Sequence, residues 1–432
     1  MNTDKSRNQV TVPPDTVILE ARFRRMSVSL LLRGARQLIT LHGFEEPRRG
    51  SALNDLGIIR DGAMLIEDGR ITEVGPSRRI ENLDRARRSF EIDATGRVVM
   101  PGFVDAHAQL VWATLPQDDG DTYADAQFHL LRSVSARRLE SRARHFVNGM
   151  IRHGTTSLES NCGYGLDQRT ELKLLRVQAR LHRAPADVTS TYLNPPWVPD
   201  AREGAPAAYV AWLCSEMLPA IQRKSLARFV GVRCGEPVFD AEQRRRYVEA
   251  ARSLGFQLKI DANGCSGSEA VRLAVELGAR SVHRVAGAAA EAELLAASDT
   301  LAVLLPASTF RCGAAGGSLG RRLIDAGAAV ALGSDFLPGS NSTYSMQTVV
   351  ALACAHLGMS AAEAICAATY NAACAIGAAG VAGSLEVGKP ADFVVLNAAD
   401  YREIPCHFGV NLVQRTVKRG ATIYQEGSVA LR

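Results

Sequence analysis

The run Pro101-Gly102-Phe103-Val104-Asp105-Ala106-His107-Ala108-Gln109 places an imidazole and a side-chain amide two residues apart. Alternate residues of a strand point the same way, so a His-x-His pair at a strand end lets two imidazoles reach one cation. Here the second arm is Gln109. Four other groups able to carry chemistry, Glu159, Asp261, His283 and Asp335, each end or follow an apolar run. Such a set can hold an ion, accept a proton from water or polarise a carbonyl.

The elements that must position these groups are strands near Val98 to Asp105, Thr155 to Asn161, Val188 to Leu193, Phe229 to Cys234, Gln257 to Asp261, Ser281 to Val285, Leu301 to Pro306 and Ala329 to Asp335. Helical segments separate them. Eight such units predict an α/β fold, a (β/α)8 TIM barrel over residues 98–382, whose chemistry sits at the C-terminal strand ends. Helices near Tyr344 to Leu357 and Ser360 to Ile376 close it, the second with Ser360 and Glu363 at capping-box spacing.

Short alternating stretches flank the barrel, Ser29 to Gly34 and Gly62 to Gly75 on one side, Gly383 to Leu396 and Gln414 to Gly420 on the other. Asp68-Gly69 gives a hairpin signal. Both chain ends, 26–97 and 383–432, are therefore expected to build one small β-sandwich-like domain. Residues 1–25 are polar, with Pro13-Pro14, and read as a disordered tail.

A chain of 432 residues, 47% hydrophobic and 22% charged, has ample material for a large core. Its net charge of +5 is dispersed, and Arg244-Arg245-Arg246 has no interleaved aromatics, so nucleic acid is not an expected partner. The nine cysteines form no CxxC pair and read as reduced thiols, Cys162 and Cys265 near the predicted mouth included. No signal-type apolar segment opens the chain and no run reaches a membrane span of about 18 residues. Cytoplasm, with no membrane partner, is the expectation. Gly313 to Gly317 lacks a GK[ST] ending, which favours a loop over the pocket rather than a phosphate cradle.

These motifs resemble the amidohydrolase superfamily, and within it the imidazolonepropionases, which open a five-membered cyclic amide. The likeness runs through Gly163-Tyr164-Gly165-Leu166 with Glu171-Leu172-Lys173, Leu258-Lys259-Ile260, Val330 to Phe336 with Pro338-Gly339-Ser340, Gly383 to Val395, and His407 to Leu412. It implies one cation held by the His-x-His pair, a histidine after strand five and an aspartate after strand eight. His107 and Asp335 match that set. Gln109 and Asp261 stand in place of the two other histidines, which leaves His107, Gln109, Asp261 and Asp335 as the metal candidates.

Further departures follow from the same resemblance. The run after the strand-five ligand is Ala262-Asn263-Gly264 instead of Ala-Asp-Glu, and the strand-six Asp-His pair reads His283-Arg284, so either residue can take the active position. Expected substrate anchors are replaced by Pro116, Pro196 and Leu337, while Tyr164 survives; Tyr164, Leu337 and Gly339 are the substrate-binding candidates. Tyr164 lines the pocket or packs in the core. Glu159 reads as structural, and Asn161 replaces a lysine. The resemblance also implies a homodimer.

One imidazole among several oxygens suits a harder ion such as Mn²⁺ or Mg²⁺ better than the zinc or iron of an imidazole-rich site, and the expected affinity is weak or nil. Metal lowers the pKa of bound water from about 15.7 to about 7, worth roughly 12 kcal/mol. A lone general base, Asp335 or Asp261, supplies only about 10² to 10⁴-fold. Without an ion the two carboxylates would shift one pKa upward or recruit Arg284.

Two functions follow. One is a divergent hydrolase of a carbon–nitrogen bond in a cyclic amide or related small molecule, with metal-assisted water, Asp335 taking its proton and His283 or Arg284 polarising the carbonyl. The other is an inactive relative that binds a small ligand or a partner at the barrel mouth. Altered anchors make the pocket more apolar and favour a less anionic ligand than imidazolonepropionate.

Overall fold

Turn chemistry and alternation build the first sheet. Strands β1 (Ser29–Ile39), β2 (Ile58–Glu67), β3 (Arg70–Pro76), β4 (Phe90–Asp93) and β5 (Val98–Pro101) join β14 (Phe393–Leu396), β15 (Val413–Lys418) and β16 (Ala421–Gln425) in the order β16-β15-β14-β5-β1-β2-β3, with β4 against β1. The β2–β3 hairpin turns at Asp68 and Gly69, with φ of +51° and +77°. That double left-handed turn matches the strand twist, as the Asp-Gly signal predicts. The sheet is one continuous ladder that carries a core of Leu32, Leu38, Met64, Ile66, Val99, Phe393 and their neighbours and a smaller one of Leu31, Ala63, Leu65, Ile80 and Ala86.

The computed structural model describes residues 29–112, 129–164, 167–182, 185–194, 205–234, 239–262, 266–285, 288–311, 313, 318–340 and 343–427. The tail, Pro116, Pro196, Gly264, Cys265 and residues 314–317 of the glycine-rich loop lie outside them. Among the described residues, no helix is long and apolar enough to cross a membrane.

Eight parallel strands form the barrel: β6 (Phe103–Ala108), β7 (Thr155–Cys162), β8 (Asp187–Leu193), β9 (Phe229–Arg233), β10 (Gln257–Asp261), β11 (Ser281–His283), β12 (Leu301–Leu304) and β13 (Val330–Leu332). The seam closes where Ala108 bridges Phe336. There Gln109 N donates to Phe336 O at 2.7 Å and Asp335 N to His107 O at 2.9 Å. The first and last metal candidates therefore meet across this seam.

Two expectations need correction. The run Val98 to Asp105 is not one strand, because it breaks at Gly102: β5 pairs with β14 and β1, and the barrel begins only at Phe103. A Cβ at Gly102 would lie 2.2 Å from the Thr156 side chain, so only glycine passes between sheet and barrel. Likewise the segment from Ser360 to Ile376 is two helices, Ala361–Ala367 and Tyr370–Ala375. Thr369 breaks it, its hydroxyl donating back to Ile365 O at 2.6 Å. The capping box itself is present, with Ser360 Oγ accepting from Glu363 N and Glu363 accepting from Ser360 N.

Outer helices hold the strands by amphipathic stripes. Helix Ala136–Arg152 starts at Ser135, whose hydroxyl accepts from Arg138 N, and buries Leu139, Ala143, Val147, Met150 and Ile151 on one face. Each such side chain contributes about 1.5–3 kcal/mol when fully buried. At the barrel's N-terminal end, Lys418 of β15 reaches Asp392 at 2.6 Å and Asp187 at 2.8 Å, and Arg419 reaches Asp187 at 2.7 Å. Charge thus ties the composite sheet to the start of β8.

Candidate functional site

A small cavity at the C-terminal ends of the barrel strands is lined by His107, Glu159, Asn161, Leu193, Lys259, Ile260, Asp261 and His283. Its floor is an ion pair. Lys259 Nζ donates to Glu159 Oε2, Thr191 Oγ1 donates to Glu159 Oε1 at 3.0 Å, and the ammonium lies 4.3 Å from the Phe229 ring centre. Burial holds the Lys259 pKa below its ordinary value although Glu159 works against that shift. Glu159 is thereby committed to neutralising a buried lysine.

Above the floor the two histidines meet, His107 Nδ1 and His283 Nδ1 being 2.7 Å apart. His283 Nε2 lies 2.8 Å from Ser281 Oγ, and His107 Nε2 faces Asp335 Oδ1 at 3.4 Å. One tautomer set suits every neighbour: His283 Nδ1–H donates to His107, Ser281 O–H donates to His283 Nε2, and His107 carries its proton on Nε2, towards the carboxylate. Burial pushes both pKa values down, that of His283 furthest, so each imidazole is neutral near pH 7.

Both strand-six residues reach the site. His283 ends β11 inside the cavity, while Arg284 leaves the strand in left-handed backbone, φ +61°. Its Nη2 donates to Asp335 Oδ1 at 2.5 Å and its Nε stands 3.3 Å from Asp261 Oδ1. Burial opposes its charge, yet Asp261 and Asp335 outweigh burial and raise its pKa. Asp335 is also left-handed, φ +52°, and its Oδ2 accepts from Ser308 Oγ. Two non-glycine residues in this sparsely populated region, facing each other, mark a strained site.

Two contributors were missed from sequence. Asp105 is wholly buried and accepts from His107 N at 3.1 Å, Ser334 N at 2.8 Å and Ser334 Oγ at 2.5 Å, so one carboxylate orients both sides of the seam. Burial raises its pKa to about 6 against the pull of those hydrogen bonds. Its place two residues before His107 on the same strand face was the available signal. Arg233, at the end of β9 and in register with Asp261, is buried and donates to Gly163 O at 2.8 Å and Asn194 O at 2.7 Å. Only its position at a strand end hinted at that role.

The four metal candidates do not assemble. Among the described residues, no three His, Cys, Asp or Glu side chains gather where they could hold one ion. Gln109 follows β6 beyond a register shift, and it is not among the residues lining the cavity. Asp261 and Asp335 come together only through the guanidinium between them. Tyr164 resolves towards core packing: it is buried, donates to Asn161 O at 3.4 Å and stacks edge-on with Trp112. Leu337 is half-buried and Gly339 exposed in the turn after Asp335, outside the cavity lining. Cys162 is buried and its thiol pKa is raised by burial, as an inert thiol requires.

Comparison with known proteins fits this architecture. The amidohydrolase family model matches residues 247–422. Imidazolonepropionase of Symbiobacterium thermophilum is 40% identical over 94% of this chain and 99% of its own length. The chain belongs to the imidazolonepropionase family of amidohydrolases. Its relative from Geobacillus kaustophilus is 37% identical, covering 93% of this chain and 99% of that protein. Among solved structures, the Xanthomonas campestris adenosine deaminase, described with bound zinc, has a TM-score of 0.66 at 17% identity over 91% of this chain and 92% of that one.

The family chemistry implies a divalent ion, but the donors here do not fit one. His107 Nδ1 is taken up by His283; Asp335 Oδ1 takes Arg284 and Oδ2 takes Ser308; Asp261 faces the same guanidinium. An ion there would meet a permanent positive charge within hydrogen-bond reach of one ligand.

Proposed function

We propose that this imidazolonepropionase-family barrel binds a small cyclic amide or related carbonyl compound at its mouth and has lost the family's fast metal-assisted ring opening. The single observation that carries this reading is Arg284 standing between Asp335 and Asp261. Its side chain is 27% exposed, so N–H groups not used by the carboxylates can donate to a ligand oxygen. The amide class comes from the full-length likeness to imidazolonepropionases.

A second reading is favoured by that same full-length likeness: slow hydrolysis of a cyclic amide, with Arg284 polarising the carbonyl and Asp335 taking a proton from water. General-base action of this kind supplies about 10² to 10⁴-fold. Purified chain incubated with imidazolonepropionate and with neutral cyclic amides, followed by NMR, separates the two. Ligand-induced line broadening without ring opening supports the binding reading. Turnover of imidazolonepropionate at rates of about 1 s⁻¹ or faster contradicts it.

A further inference from the structure

We infer that Arg284 is this chain's built-in replacement for a divalent ion: its guanidinium supplies the positive charge that Asp261 and Asp335 share. The inference rests on the reading above that the mouth works without a bound metal, and it adds what does the work instead.

The charge balance is local. Asp261 and Asp335 are both buried, at 3% exposure each. Two carboxylates so placed need compensation, since burying an unpaired charge is costly. Arg284 contacts both. Arg233, paired with Asp261 in strand register, adds positive charge nearby while its guanidinium is held by two backbone carbonyls. Arginine suits the role because its guanidinium stays protonated under all working conditions.

Position matters as much as sign. The left-handed turn at Arg284 points its side chain back across the strand ends, so that one guanidinium links the residue after β11 to the end of β10 and to the turn after β13. An ion held by Asp261 and Asp335 would join the last two of these elements. A backbone conformation that L-residues avoid is retained where the surrounding contacts demand it.

The test uses the full chain in EDTA and in Mn²⁺ or Zn²⁺. The unmodified protein is expected to melt at the same temperature in all three buffers. Arg284→Ala is expected to melt about 5 °C lower in EDTA and to recover in Mn²⁺, as a cation re-enters between the carboxylates. Adding Asp335→Asn is expected to abolish that recovery. Arg284→Lys, which keeps the charge, is expected to stay indifferent to metal.

Absence of any metal response in Arg284→Ala overturns the inference while leaving the metal-free reading of the unmodified chain in place. A metal-dependent melting temperature in the unmodified chain overturns both. Should Arg284→Ala not fold in EDTA, folding rescued by Mn²⁺ supports the inference. If it folds in neither buffer, Arg284→Lys decides: metal indifference supports the inference, and a metal requirement refutes it.

Discussion

Lys259 and Glu159 form a salt bridge inside the barrel, with exposures of 1% and 0%, directly beneath the paired histidines. The site therefore stands on a buried ion pair. Removing one partner leaves a charge with no water to receive it.

Glu159→Gln or Lys259→Met should each cost about 3–5 kcal/mol of unfolding free energy, read by urea titration. The double variant Glu159→Leu with Lys259→Met should cost less than the two singles together, because no lone charge remains. Additive losses would show that the pair has no mutual role.

Lys418 joins the composite sheet to the barrel through Asp392 and Asp187. Lys418→Met is expected to destabilise the chain by about 3–5 kcal/mol. Hydrogen exchange should then rise in β15 and at the start of β8 together; a rise confined to β15 would contradict a coupling between the two bodies.

Glu363 gives a pH dependence with a definite sign. Burial pushes its pKa up, but hydrogen bonds from Ser360 N, Arg321 and Asn54 outweigh burial and hold it below the ordinary 4.5. Its contribution is therefore present above the unfolded value and fades as pH falls through the lowered folded value. Glu363→Gln should flatten the stability profile on the acid side of pH 4.5. An unchanged acid slope would remove Glu363 from the account.

The reversion Gln109→His with Asp261→His restores two family side chains yet leaves Arg284 on Asp335. Imidazolonepropionate turnover is expected to remain at least about 10³-fold below that of a family member. Adding Arg284→Ala should raise metal uptake without restoring turnover, because Pro116, Pro196 and Gly264 still lack the anchors. Recovery of full activity by the double change alone would show that only ligands had been lost.

Much of this was legible in sequence because it is periodic. Seven barrel strands were placed within a few residues by apolar runs, and the Asp68-Gly69 hairpin and the Ser360 cap followed from turn and cap chemistry. The break at Gly102 was not legible, since an apolar run reads alike whether its two halves serve one sheet or two. Nor was the fate of Arg284: its choice between mouth and solvent depends on a left-handed φ that no spacing rule supplies. Candidate ligands could be named from the family resemblance, whereas their failure to share a centre required the guanidinium's position.

Metal content of the unmodified chain, purified from cells grown with added zinc and manganese, tests the central claim most directly. Elemental analysis should find below about 0.1 ion per chain, because Arg284 already engages the carboxylates. About one tightly held ion per chain would contradict it.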